Sequence, residues 1–159
     1  MQGDTKVIEF LNAALKGELT AVNQYWLHFR MLDNWGVSKL AEHERHESID
    51  EMKHADRLVE RILYLDGLPN LQVLGRLRIG ETVEEILKAD LELEHEALAL
   101  LRDAILHCET VRDFGSRALF VDILTNEEEH VDFLETQFEL IKRTGIQNYV
   151  QLNSEPAGS

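Results

Sequence analysis

Residues 47 to 56 read E-S-I-D-E-M-K-H-A-D, and within them Glu51 and His54 stand three apart with Met52 between. In a helix that spacing puts the carboxylate and the imidazole one turn apart on the same side. Leu40, Leu58 and Ile62 fall on that side too, so two polar groups interrupt an apolar stripe. The interruption recurs in N-E-E-E-H at 126 to 130, where Glu127 and His130 share a stripe with Phe120, Leu124, Leu134, Phe138 and Ile141. Single acids break two further stripes. Glu18 stands among Leu11, Leu15, Val22, Tyr25, Phe29 and Leu32, and Glu94 among Leu87, Leu91, Leu98, Leu101 and Ile105. Each is a core-facing position of an amphipathic helix.

The four stripes define four helices. The first runs over about 5–34 and is broken by Gly36. The second runs over 37–65 and stops at D-G-L-P, residues 66 to 69, a cluster of helix breakers. Two helices of about thirty residues, each about 45 Å long, pair as an antiparallel hairpin. The stretch 66–81 holds Gly67, Pro69, Gly75 and Gly80 without a helical period and reads as a long connection. Thr82 with Glu85 has the form of a capping box, opening a third helix over 83–108. The fourth spans 112–144, with Lys142 and Arg143 in its last turn and Gly145 beyond it. A short fifth, 146–152, precedes a frayed tail, 153–159. Short links within each pair and one long link between pairs describe an all-α fold, a four-helix bundle with one crossover and parallel second and third helices.

From Glu18 to Glu51 is 33 residues, and from Glu94 to Glu127 is 33 again. Two similar hairpins therefore bring Glu18, Glu51, His54, Glu94, Glu127 and His130 to one level under approximate two-fold symmetry. No Lys or Arg lies on these stripes to neutralise the acids. Unpaired carboxylates in a core cost several kcal/mol each or take up protons. Two divalent cations cancel four negative charges. Carboxylate with imidazole suits iron or manganese and accepts zinc, while the absence of thiolate argues against copper(I) and iron–sulfur clusters. Glu92 and His95 have the same spacing but fall with Lys88, Glu96 and Arg102 on a polar face, which marks a solvated pair.

The chain of 159 residues, 44% hydrophobic, is sized for one domain with a sizeable core. Its net charge of −14 repels nucleic-acid phosphates and anionic lipid and concentrates cations. No nucleic-acid or membrane partner is expected. The N-terminus lacks a basic segment followed by an apolar one, and no apolar run is long enough to span a bilayer. A lone Cys108 fits a reducing cytoplasm.

The stretches G-D-T-K-V-I (3–8), N-Q-Y (23–25), H-E-S-I-D-E-M-K-H-A-D (46–56), G-L-P-N-L-Q (67–72) and E-E-E-H (127–130) resemble those of the bacterioferritins. The resemblance extends to about Gln151. It implies that the six residues are di-iron ligands and that twenty-four subunits form a hollow cage. Such a cage oxidises Fe(II) with O2 or H2O2 and stores ferric mineral. Met52, one residue past Glu51, points about 100° away from the ligand stripe. The resemblance implies that Met52 and its symmetry mate ligate a haem b iron across a dimer two-fold, assisting iron release with a ferredoxin as electron donor. A second subunit type is a candidate further partner in that cage. Arg45 stands where an aromatic residue is common and Trp26 where Phe is common, both near the expected haem face. Tyr25 is expected close to the di-iron site, and His46 and Asp50, off the ligand stripe, are candidates for passing iron to the cavity. The alternative is a di-iron oxidase or peroxidase acting on a substrate other than iron, which needs an open channel.

Overall fold

The computed structural model describes residues 1–156, which form five helices and no strand: α1 (Thr5–Asn34), α2 (Ser38–Tyr64), α3 (Val83–Thr110), α4 (Phe114–Thr144) and α5 (Ile146–Leu152). Side chains set the helix starts. Asp4 accepts the Val7 N–H at 3.1 Å at the start of α1, and Thr82 accepts the Glu85 N–H at 3.1 Å at the start of α3. The return arm of that capping box lands one residue early, with Glu85 accepting the N–H of Glu81 at 2.8 Å. Arg112, at φ 61°, turns the chain through the left-handed region, so α4 begins at Phe114 with Asp113 as its cap. Asp66, at φ 60°, makes a similar turn after α2, and Gly36 and Gly145, at φ 84° and 82°, make two more, where glycine carries no steric cost.

Contacts between helices fix their directions. Gly3 N–H reaches the Leu65 carbonyl at 3.0 Å and the Ser48 hydroxyl reaches the Val22 carbonyl at 2.8 Å, so α1 and α2 are antiparallel. Asp4 meets His107 and Asp90 meets His28, each at 2.9 Å, which sets α1 against α3. Arg61 meets Asp113 at 2.9 Å and His130 meets Glu47 at 2.5 Å, which sets α2 against α4. Helices α2 and α3 are thus parallel, as the crossover requires. In cross-section the α1–α3 edge lies opposite the α2–α4 edge.

Two apolar clusters fill the ends of the bundle. One contains Leu11, Leu15, Leu58, Ile62, Leu101 and Phe120; the other contains Phe29, Leu32, Leu40, Ile86, Leu87 and Tyr149. A polar layer lies between them. Helix α5 closes the second cluster by burying Tyr149, whose hydroxyl donates to Gln137 at 2.8 Å. Asn153 and Ser154, read from sequence as the start of the tail, are tied in. The Asn153 carbonyl accepts the Lys39 N–H at 2.9 Å, and the Ser154 hydroxyl donates to Val150 at 2.8 Å. Residues 157–159 of that tail lie outside the described residues.

The crossover is irregular but pinned. Side chains along α1 catch its backbone N–H groups: Asn12 takes that of Asn70 (2.8 Å), Thr20 that of Gly75 (2.8 Å), Gln24 that of Arg78 (3.0 Å) and His28 that of Gly80 (3.1 Å). Gly80 has no room for a side chain, because a Cβ there would lie 2.3 Å from the Ile86 nitrogen. Among the described residues no helix is long and apolar enough to cross a membrane.

Candidate metal centre

The polar layer is the six-residue cluster. Glu18 of α1, Glu51 and His54 of α2, Glu94 of α3, and Glu127 and His130 of α4 are all buried. They fall into two overlapping sets whose donor atoms lie within 4.8 Å of one another: Glu18, Glu51, His54 and Glu127, and Glu51, Glu94, Glu127 and His130. Glu51 and Glu127 belong to both. His54 Nδ1 lies 3.1 Å from Glu127, 3.5 Å from Glu18 and 3.9 Å from Glu51. His130 Nδ1 lies 3.2 Å from Glu51, 3.3 Å from Glu127 and 3.4 Å from Glu94. Each half therefore has one terminal carboxylate, one imidazole nitrogen and a share in two central carboxylates. Glu18 Oε2, Glu51 Oε1, His54 Nδ1, Glu94 Oε2 and both oxygens of Glu127 make no hydrogen bond although buried. Buried polar atoms are rarely left so. Here they converge on two positions that hard divalent cations fit in charge and donor type.

The electrostatics reflect the crowding. Burial first, then the charge of Glu127, raises Glu18, Glu51 and Glu94 above the usual carboxylate range. Burial would raise Glu127 as well, but the close approach of Glu94, His130 and His54 outweighs it and holds this carboxyl well below that range. For His54, burial favours the neutral ring, and the Glu127 and Glu18 carboxylates beside it overcome that, bringing the imidazole up to about 9. The Tyr25 hydroxyl, buried and beside Glu94, is pushed well above its ordinary value and donates to Glu94 at 2.5 Å.

The other sequence candidates separate. Met52 is off the core and 48% exposed, and Trp26, on the neighbouring helix, is 41% exposed. Arg45 pairs with Glu42 at 3.3 Å. His46 is exposed and also meets Glu42, at 3.2 Å, so the structure does not bring it to the cluster. Asp50 stands at the cluster's edge, 4.0 Å from His130 Nε2.

Sequence reasoning missed the residue that holds His130. Glu47 lies 2.5 Å from His130 Nε2 and 3.0 Å from His43. A carboxylate on the far nitrogen fixes the ring so that Nδ1 faces the metal positions. A second buried group, also missed, extends from the first. Asp90 Oδ1 accepts from His28 Nδ1 at 2.9 Å and from Gln24 at 3.0 Å. Because the Gly80 N–H occupies His28 Nε2, the His28 proton is on Nδ1, and this ring has no free lone pair for a metal. Glu44, 1% exposed, has both oxygens unpartnered, as is Asp90 Oδ2. Burial, then the charge of Asp90, raises the Glu44 carboxyl well above the usual carboxylate range. Between Ala41 and Ala55 the buried positions of α2 are Glu44, Glu47, Ser48, Glu51 and His54, a polar run that the acid-rich sequence does not separate from its solvated neighbours.

A model of the ferritin-like domain matches residues 8–144. The chain is 54% identical to the bacterioferritin of Rhodobacter capsulatus over 156 residues, covering 98% of this chain and 97% of the other. It is 51% identical to that of Brucella melitensis over 157 residues (99% and 98%), and 50% identical to that of Mycobacterium avium over 149 residues (94% and 94%). With that family match spanning all four long helices and relatives aligned nearly end to end, the chain belongs to the bacterioferritins, within the ferritin-like domain family.

Proposed function

We propose that the chain is an iron-storing ferroxidase whose substrate is a pair of Fe(II) ions. The observation that carries this reading is the two overlapping donor sets sharing Glu51 and Glu127. Glu18 and His54 complete one position, Glu94 and His130 the other, and the shared carboxylates keep the two ions adjacent. Adjacent ions can deliver two electrons to one oxidant: two Fe(II), O2 and two protons give two Fe(III) and H2O2. With H2O2 as oxidant the same ions and two protons give two Fe(III) and two waters. Four hard anionic carboxylates favour Fe(III) over Fe(II) and so assist the oxidation. Tyr25 holds the terminal carboxylate Glu94 in place, and Glu47 orients His130. Asp50, at the edge on the α2–α4 side, suits an exit for oxidised iron; His46 lies further out on that side.

The product goes to a mineral in a cage of twenty-four copies in the cytoplasm, with a second subunit type as one form of assembly. Met52 presents a soft, neutral thioether on an exposed face, which suits haem b iron shared with a second copy. Bound there, haem supplies a one-electron carrier for reductive release of iron, with a ferredoxin as donor. Stopped-flow oxidation of Fe(II) by the assembled protein tests the central reading. Glu18→Ala and Glu94→Ala each abolish the fast phase, and wild-type kinetics in both would overturn the assignment.

A further inference from the structure

A cavity of about 260 Å³ opens between α1 and α3, under the crossover, and its floor is formed by Glu18, Glu51, Glu94 and Glu127. Its walls include Ala13, Gly17, Ala21, Ala97 and Leu100. On its walls the polar side chains of Thr20 and Arg78 are already engaged. Thr20 donates its hydroxyl to the Lys16 carbonyl and accepts the Gly75 N–H, and the Arg78 guanidinium is held by Glu96. Inside the mouth, no wall side chain is left free to orient an organic substrate, which ordinary ligand pockets do with a few placed polar groups. At the mouth stand Lys16 and Arg76, both exposed, with no acid paired to either among the described residues. Two free cations in a chain of net charge −14 are a local reversal of sign.

These features sort the two reactants. A hydrated Fe(II) ion is repelled by the cationic mouth and loses its water shell against apolar walls, which is costly for any ion. A small nonpolar gas meets no charge barrier and gains by leaving water for an apolar space. We propose that this cavity is the dioxygen-binding antechamber of the metal centre, while iron passes by another face. The assignment rests on the ferroxidase reading. The opposite, α2–α4 edge carries the acids that suit a cation: Glu47 lies against His130, and Asp50 stands beside it.

The test uses the assembled wild-type protein and the variants Ala97→Phe and Ala21→Leu, which fill the cavity from facing walls without touching a metal-binding side chain. Xenon-pressurised crystals of wild type show xenon in the cavity, and both variants lack it. Co(II) binding, read by its visible absorbance, keeps its wild-type stoichiometry in both variants. The fast phase of O2-driven Fe(II) oxidation slows about ten-fold in at least one variant, and raising O2, not Fe(II), restores it. Wild-type oxidation rates in both variants, or a deficit relieved by Fe(II) instead, would overturn the antechamber. Absence of any fast phase in wild type would instead remove the ferroxidase reading, and the xenon result would still report whether the cavity takes a gas.

Discussion

Glu51 and Glu127 are equivalent in the sequence repeat, yet the folded chain treats them differently. Glu127 lies 3.1 Å from the His54 ring and 3.3 Å from the His130 ring, and its carboxyl is held well below the usual range, whereas burial and the Glu127 charge raise that of Glu51 well above it. Replacing Glu127 by Gln therefore strips two imidazoles of their counter-charge, and in the metal-free protein this should cost about 1.5–3 kcal/mol. Glu51→Gln removes a carboxyl whose charged form burial disfavours and should leave the metal-free melting temperature unchanged or slightly higher. Calorimetry of the two metal-free variants checks the contrast, and equal losses would contradict the asymmetry. The six candidate ligands were legible because each breaks an apolar rhythm with a charge. Glu47 and Glu44 were not, because on paper they merge with the many acids of an acidic helix. Only the packing of α2 against α4 and α3 separates a buried glutamate from a solvated one.

Among the elements, α4 depends most visibly on one residue. Asp113 accepts the Ser116 N–H and hydroxyl at 2.9 and 2.7 Å and the Arg61 guanidinium at 2.9 Å, so it caps α4 and joins it to α2. Burial opposes the charged form, but these hydrogen bonds and the Arg61 charge prevail and hold the carboxyl below its ordinary 3.8. Asp113→Ala should cost about 1–2 kcal/mol. A carboxyl lowered by folding stabilises the fold at pH above its unfolded value, and loses that effect as pH falls through the lower, folded one. The gap between wild type and variant in urea unfolding should hold from neutrality to about pH 4 and close below it. A gap independent of pH would mean that the carboxylate charge plays no part. The helix was legible from its period, but its first residue was not, because periodicity does not reveal that Arg112 turns left-handed.

The whole bundle followed from stripe order and link lengths, since each amphipathic helix must bury its apolar face against the others. On its outer surface the outward turn of Met52 was legible from its offset to Glu51, whereas the exposure of Leu63, Tyr64, Leu68 and Leu71 was not. Trp26, Met52, Leu63, Tyr64, Leu68 and Leu71 are exposed large apolar side chains, at 41%, 48%, 56%, 52%, 84% and 56%. Exposed apolar side chains of this size suit surface that other copies in an oligomeric cage would cover. Met52→Leu keeps this apolar character and removes the thioether, so the expected product is a cage of wild-type size by sedimentation. It should oxidise Fe(II) rapidly while lacking the haem absorbance band. Haem at wild-type occupancy in that variant would remove Met52 as its ligand.

The pinned crossover has a consequence on the timescale of minutes to days. Loop amides in water normally trade their protons for deuterons quickly, because nothing protects them. Those of Gly75, Arg78 and Gly80 are held by Thr20, Gln24 and His28, side chains rooted in a helix that opens only with the bundle. Native-state hydrogen exchange should therefore find these three amides about as protected as the middle of α1, while those of Leu71, Leu74 and Leu77 exchange fast. An irregular segment would then carry the slow signature of a helix at every amide its neighbour grips, and uniform fast exchange from 70 to 80 would show that the grip is transient.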